Sequence, residues 1–235
     1  MIRTKKIFNW IFKGLILSYF LLICFPHLLF ANKLDYKNFS VYYHSNDINT
    51  EELKLVLDKS ENLLKKSELF KKGTSQDIFI CNGYSEFTFF ALLSRKAFAV
   101  NYPISQNILI CKSSISQNYI LRNGKENNKR TLSGVIAHET VHSLLENKLG
   151  LLKYKLLPSW KNEGYCDFIA NESSFNKQKG VKEICNDTEN TDIPSFKYFK
   201  LLNVFNIIYL YFDRSIFVYK KSIIFSLIEL SIRYP

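Results

Sequence analysis

The chain has 235 residues, 47% of them apolar, and carries a net charge of +11. That length suits one domain, with ample apolar material for a core. The basic excess lacks the arginines and interleaved stacking aromatics of a nucleic-acid surface, so that class of partner is excluded. Its densest cluster, Lys65, Lys66, Lys71 and Lys72, reads as a solvated helix face suited at most to anionic surfaces.

Met1–Ala31 has the layout of an export signal. Arg3, Lys5, Lys6 and Lys13 precede an apolar run, Leu15–Phe25, and the segment has no acidic residue. The run is short for a membrane span of roughly 20 apolar residues. Ala31 offers a small residue for cleavage, whereas Leu29 at the −3 position fits poorly, so a removed signal and a retained anchor both stay open. Cys24 follows Leu22 and Ile23 rather than the small residues that lipoprotein processing takes. The expected organisation is a leader over 1–31 and a single domain over 32–235, placed outside the cytoplasm as a secreted, periplasmic or anchored protein.

Residues 38–130 read as a mixed α/β half. Asn38–His44 predicts a strand, and Asn49 or Thr50 caps a helix running to about Ser67. Asp77–Cys81 predicts a second strand and Tyr84–Ser94 a helix. Ala97–Tyr102 and Asn107–Cys111 predict two further strands joined by the polar turn Pro103–Gln106.

Thr131–Lys148 then predicts an amphipathic helix, with Leu132, Val135, Ile136, Leu144 and Leu145 at helical spacing and Gly150 as its stop. It contains His138–Glu139–Thr140–Val141–His142. Positions i and i+4 share a helix face, so both imidazoles can reach one metal ion. Glu139 stands roughly 100° around the helix, beside such an ion without binding it. A catalytic zinc usually has three protein ligands and an open position for water. Glu163 lies 21 positions after His142, enough chain for a return on the next helix, and Asp167 falls one turn later on the same face. A carboxylate there can accept the free N–H of a liganding imidazole and fix its tautomer.

Four cysteines follow the leader: Cys81, Cys111, Cys166 and Cys185. An even count in an exported chain favours disulfides, with three pairings open. Cys81 and Cys111 each end an I-x-I-C strand and could pair across a sheet, leaving Cys166 with Cys185. Cys166 as a zinc ligand is disfavoured. Asn171–Pro194 is polar and loop-rich, and residues 195–212 and 215–232 predict two apolar helices interrupted by charges, completing the packing behind the site.

HETVH followed by NEGYCD resembles the gluzincins, zinc peptidases whose pattern is HExxH, about twenty residues, then a liganding glutamate and often an acidic residue four later. Trp160–Glu163–Gly164 also resembles small peptidase-MA-like proteins in which W-x-x-E-G opens the second helix. The match covers residues 131–172. The resemblance implies an α+β, zincin-like fold, with a small mixed sheet and helices followed by a mostly helical half carrying the metal site. It implies one Zn²⁺ per chain held by His138, His142 and Glu163, with Glu139 as general base and Asp167 behind a ligand. The implied activity is hydrolysis of a peptide or protein by zinc-activated water. No amine-anchoring motif precedes the metal helix, which favours an endopeptidase. The family's oxyanion donor is a downstream Tyr or His. No histidine follows His142, so Tyr165, Tyr198, Tyr209 or Tyr211 would have to serve. A cleft strand, Ala97–Tyr102 or Asn107–Cys111, would pair with extended substrate. The alternative is a catalytically inactive, peptidase-like zinc-binding protein of the cell envelope.

Overall fold

Parallel strands cannot be joined by a hairpin and need a crossover, usually a helix. The order of elements after the N-terminal helix α1 (Ile2–Cys24) follows from that. A computed structural model describes residues 2–44, 48–71, 73–91, 94–121 and 129–173. The helices expected at 195–212 and 215–232 lie outside the described residues, as do Cys185, Tyr198, Tyr209 and Tyr211.

A short 3₁₀ turn, Pro26–Leu29, leads into β1 (Asn32–Tyr36) and β2 (Phe39–Tyr43), an antiparallel pair. Helix α2 (Thr50–Leu64) carries the chain to β3 (Gln76–Ile80), which lies parallel to β2. Asn49 caps α2 as expected, its side-chain oxygen accepting from the Glu51 and Glu52 amides at 3.0 and 3.3 Å. Helix α3 (Tyr84–Phe90) and β4 (Ala99–Asn101) precede β5 (Ile108–Ile110), and β5 pairs parallel to β3 and antiparallel to β4. The sheet order is β1-β2-β3-β5-β4. Ile78, Ile108, Leu109 and Ile110 are fully buried, the continuous apolar reading of strands covered on both faces.

A second, three-stranded antiparallel sheet forms from β6 (Ser113–Ser114), β7 (Tyr119–Leu121) and β8 (Lys129–Thr131). Strands this short carry no periodicity, so the sequence does not announce them. Strand β8 runs directly into α4 (Leu132–Leu149), followed by α5 (Leu151–Leu156) and α6 (Ser159–Ala170). The result is a mixed α+β architecture with a small mixed sheet and packed helices.

Helix α4 departs from the amphipathic expectation. Every residue from Leu132 to Glu146 is buried except Glu139. It packs against α2, α5, α6, β4, β5, β7 and β8, so it is a central helix with no broad solvent face. Its first backbone donors, which have no partner within the helix, are satisfied from outside it. Leu132 N–H reaches Asn118 O at 3.1 Å, Ser133 N–H reaches Asn118 Oδ1 at 3.0 Å, and Gly134 N–H reaches Thr131 Oγ1 at 3.0 Å. A Cβ at Gly134 would lie 2.7 Å from the Thr131 hydroxyl and the Glu172 carboxylate. At the other end Gly150, at φ 77°, turns the chain out of the helix.

The expected disulfides are not formed among the described residues, where Cys81, Cys111 and Cys166 are buried free thiols. Cys81 and Cys111 follow the paired residues Ile80 and Ile110 on neighbouring parallel strands, and the Cys111 thiol turns to Ala97 O at 3.9 Å. Burial raises both thiols above their ordinary pKa, Cys111 to about 12. Burial also begins before the expected leader boundary at Ala31, because Pro26 is buried and Phe30 already belongs to the core.

Thr131→Val removes the hydroxyl that caps α4. It should cost about 1–2 kcal/mol of stability, read as a lowered midpoint in chemical denaturation. An unchanged midpoint would show that the Asn118 contacts alone hold the helix start.

Candidate metal centre

His138 and His142 stand one turn apart on α4, their rings 4.9 Å apart and inclined at 78°. Their Nε2 atoms face each other at 3.2 Å. Helix α6 packs against α4 and brings Glu163 to the same point. Its Oε2 is 3.2 Å from His138 Nε2, and its Oε1 is 3.6 Å from His142 Nε2. Ligands bound tetrahedrally at roughly 2.0–2.1 Å sit about 3.3 Å from one another. The three separations have that size.

His138, His142 and Cys166 are also grouped closely enough to hold a metal ion, their ligand atoms all within 4.8 Å of one another. Cys166, disfavoured as a ligand from the sequence, therefore lies within reach of the site. It approaches His142 at Nδ1, 3.3 Å away, whereas His138 and Glu163 meet the opposite ring nitrogen, Nε2.

Each imidazole has its own support behind it. His138 Nδ1 lies 3.0 Å from Asp167 Oδ1, a close ionic contact off the N–H axis rather than an aligned hydrogen bond. Asp167 is held in turn by Arg130 Nη2 at 3.3 Å, and Arg130 Nε contacts Glu172 at 3.4 Å. On the other ring, His142 Nδ1 faces Asn162 Oδ1 at 3.1 Å and Tyr154 Oη at 3.2 Å. An N–H there can donate to the Asn162 oxygen, which leaves Nε2 with its lone pair free.

Electrostatics sharpen the geometry. Burial disfavours a charged His138, but Asp167 and Glu163 outweigh it and raise the ring to about 10. Burial pushes Glu163 up, while the charges of His142 and His138 pull it down to about 2. The same two carboxylates that favour a charged His138 would favour a cation beside it.

Glu139 interrupts an otherwise buried helix, and Glu163 keeps 34% of its side chain exposed. The centre therefore opens to solvent on the side of its two glutamates. Strand β4 lies along α4 there: Asn101 Nδ2 donates to Glu139 O and Ser143 Oγ, each at 2.7 Å. Of the two strands considered for the cleft, β5 is paired on both sides and β4 is at the sheet edge.

The structure thus brings His138, His142, Glu163 and Asp167 together, with Glu139 on the adjoining turn. It does not bring Tyr165, which is buried and bonded to Ser67 Oγ at 2.9 Å. Arg130, Asn162, Tyr154 and Asn101 were not foreseen. Asn162 had a signal, being the neighbour of Glu163 at i+4 spacing to Cys166. The other three are placed by packing alone. No protein-family model matches the chain, and no curated protein is similar to it.

A divalent cation must displace the His138 proton to bind, so its affinity should rise about tenfold per pH unit between about pH 7 and pH 9. Competition against a chelator measures this. A pH-independent affinity would mean that His138 is not the group displaced.

Proposed function

We propose that the chain is a zinc-dependent peptide hydrolase of gluzincin type, a zincin-like endopeptidase acting outside the cytoplasm on a peptide or protein. The observation that carries the reading is the approach of Glu163 to both imidazole Nε2 atoms, at 3.2 and 3.6 Å. His138, His142 and Glu163 would hold one Zn²⁺, which when bound supplies Lewis acidity, polarising a carbonyl and lowering the pKa of water toward about 7. Cys166 then supports His142 from its Nδ1 side instead of binding the ion.

Glu139 is the proton carrier in this reading. It stands on the open side, takes a proton from the attacking water and returns it to the departing amine. Asp167 and Arg130 orient His138, and Asn162 and Tyr154 orient His142. Strand β4, free on its outer edge among the described residues, offers backbone groups to an extended substrate beside Glu139. The export signature of the leader supports the extracytoplasmic location.

One observation favours a second reading, a zinc-binding envelope protein without activity. Tyr165 is engaged with Ser67, so it does not serve as the oxyanion donor that the family uses.

One measurement separates these readings, and a second tests the ligand set. Glu139→Gln should leave zinc content unchanged and lower the hydrolysis of an unfolded protein at least about a hundredfold; equal rates in the two proteins would remove the enzyme reading. Glu163→Gln should weaken zinc binding by more than about a hundredfold, and Cys166→Ser by no more than about ten- to a hundredfold. The reverse order would assign the third ligand to Cys166.

A further inference from the structure

We infer that the N-terminal helix is retained as a bilayer anchor, because the residues that follow it are built into the folded domain. This deepens the export reading of that segment and is independent of what the metal centre does.

Phe30 is 8% exposed and fills a slot among three rings. It stacks on His44 at 4.3 Å, meets Phe79 edge-on at 5.2 Å and lies 6.1 Å from Phe90. Pro26 is buried as well, and Asn107 Nδ2 donates to Cys24 O at 3.3 Å. Higher in α1, the Tyr19 hydroxyl donates to Phe89 O, and the two rings pack edge-on at 5.1 Å. Cleavage after Ala31 would remove all of these contacts and leave a ring-sized void against Phe79 and Phe90. Leu29 at the −3 position is also not the small residue that signal cleavage takes.

The helix itself has the dimensions and chemistry of a span. Lys6–Cys24 is mostly apolar; its residues through Ser18 are exposed, and Tyr19 and Leu22–Cys24 are half-buried. Ile7, Phe8, Ile11, Phe12, Leu15 and Ile16 all stand exposed. The 18 residues Ile7–Cys24 rise about 27 Å, close to a hydrocarbon core of about 30 Å. Arg3, Lys5 and Lys6 put the charge that stays in the cytoplasm at the start of the helix. Lys13 does not break the span, since its ammonium reaches back over the Trp10 ring at 5.7 Å, toward that same end. Lipid is the occupant that fits a helix whose exposed side chains are mostly apolar and whose charges lie toward one end.

The test uses the full chain with a C-terminal tag in an exporting host. The intact mass should include residues 1–31, and the protein should resist an alkaline carbonate wash of the membranes and come away in detergent. A mature chain beginning at or near Asn32 and washed out by carbonate overturns the anchor while leaving export standing. An uncleaved protein soluble in the cytoplasm, its helix covered by its own chain or a second copy, overturns both. In detergent, Phe30→Ala should lower Tm by at least about 5 °C, whereas Leu28→Ala, at a residue 71% exposed, should not. Equal Tm values for the two variants would overturn the argument that the segment is part of the domain. If Phe30→Ala does not fold, Phe30→Leu gives the same comparison more mildly.

Discussion

Two imidazole nitrogens and a carboxylate meet within 3.6 Å at the junction of α4 and α6. Lone pairs do not crowd together in a partly dry site without a positive charge between them. Either a proton or a metal ion has to sit there, and the surroundings are arranged to keep that charge in place. Burial alone would make His138 release its proton. Asp167 and Glu163 hold its pKa near 10 instead. Both carboxylates favour a cation at this point, where a divalent ion would meet two imidazoles and a carboxylate side by side.

That assembly depends on how rigidly α4 is held. The helix is enclosed on nearly every side, and its first turn is tied down by Asn118, Thr131 and Glu172. Arg130 joins the two halves of the support. One end of its guanidinium touches Asp167, behind His138, and the other touches Glu172, at the start of α4. A buried cation between two carboxylates costs several kcal/mol of desolvation, and only good geometry recovers it. What the arrangement gains is fixed orientation. The imidazole, its carboxylate and the helix cap cannot move independently.

The opening of the site has an equally local cause. Among the residues from Leu132 to Glu146, only Glu139 escapes burial. The edge strand β4 runs past it through Asn101. A carboxylate at the one position between Leu132 and Glu146 that is not buried, beside a strand at the sheet edge among the described residues, is the arrangement that the peptidase proposal draws on. The N-terminal helix lies close in the contact network. Cys24 meets Asn107, Tyr102 N–H donates to Asn107 O at 3.0 Å, and Asn101 precedes Tyr102 at the end of β4.

The sequence by itself determined what depends on neighbours along the chain. The HETVH spacing put two imidazoles on one face, and Thr131 and Gly150 bounded the helix. Asn49 marked the start of α2, and the apolar run marked the N-terminal helix. All of these rest on interactions within a turn or two, which residue order states directly. Tertiary structure decided the rest. Packing of α6 on α4 brought Glu163 to both rings and turned Cys166 to the far side of His142. It directed Tyr165 to Ser67, made β4 rather than β5 the sheet edge, and drew Phe30 into the core ahead of the expected leader boundary. Such contacts join residues tens of positions apart. Spacing and periodicity say which side chains share a face, and only packing says what that face meets.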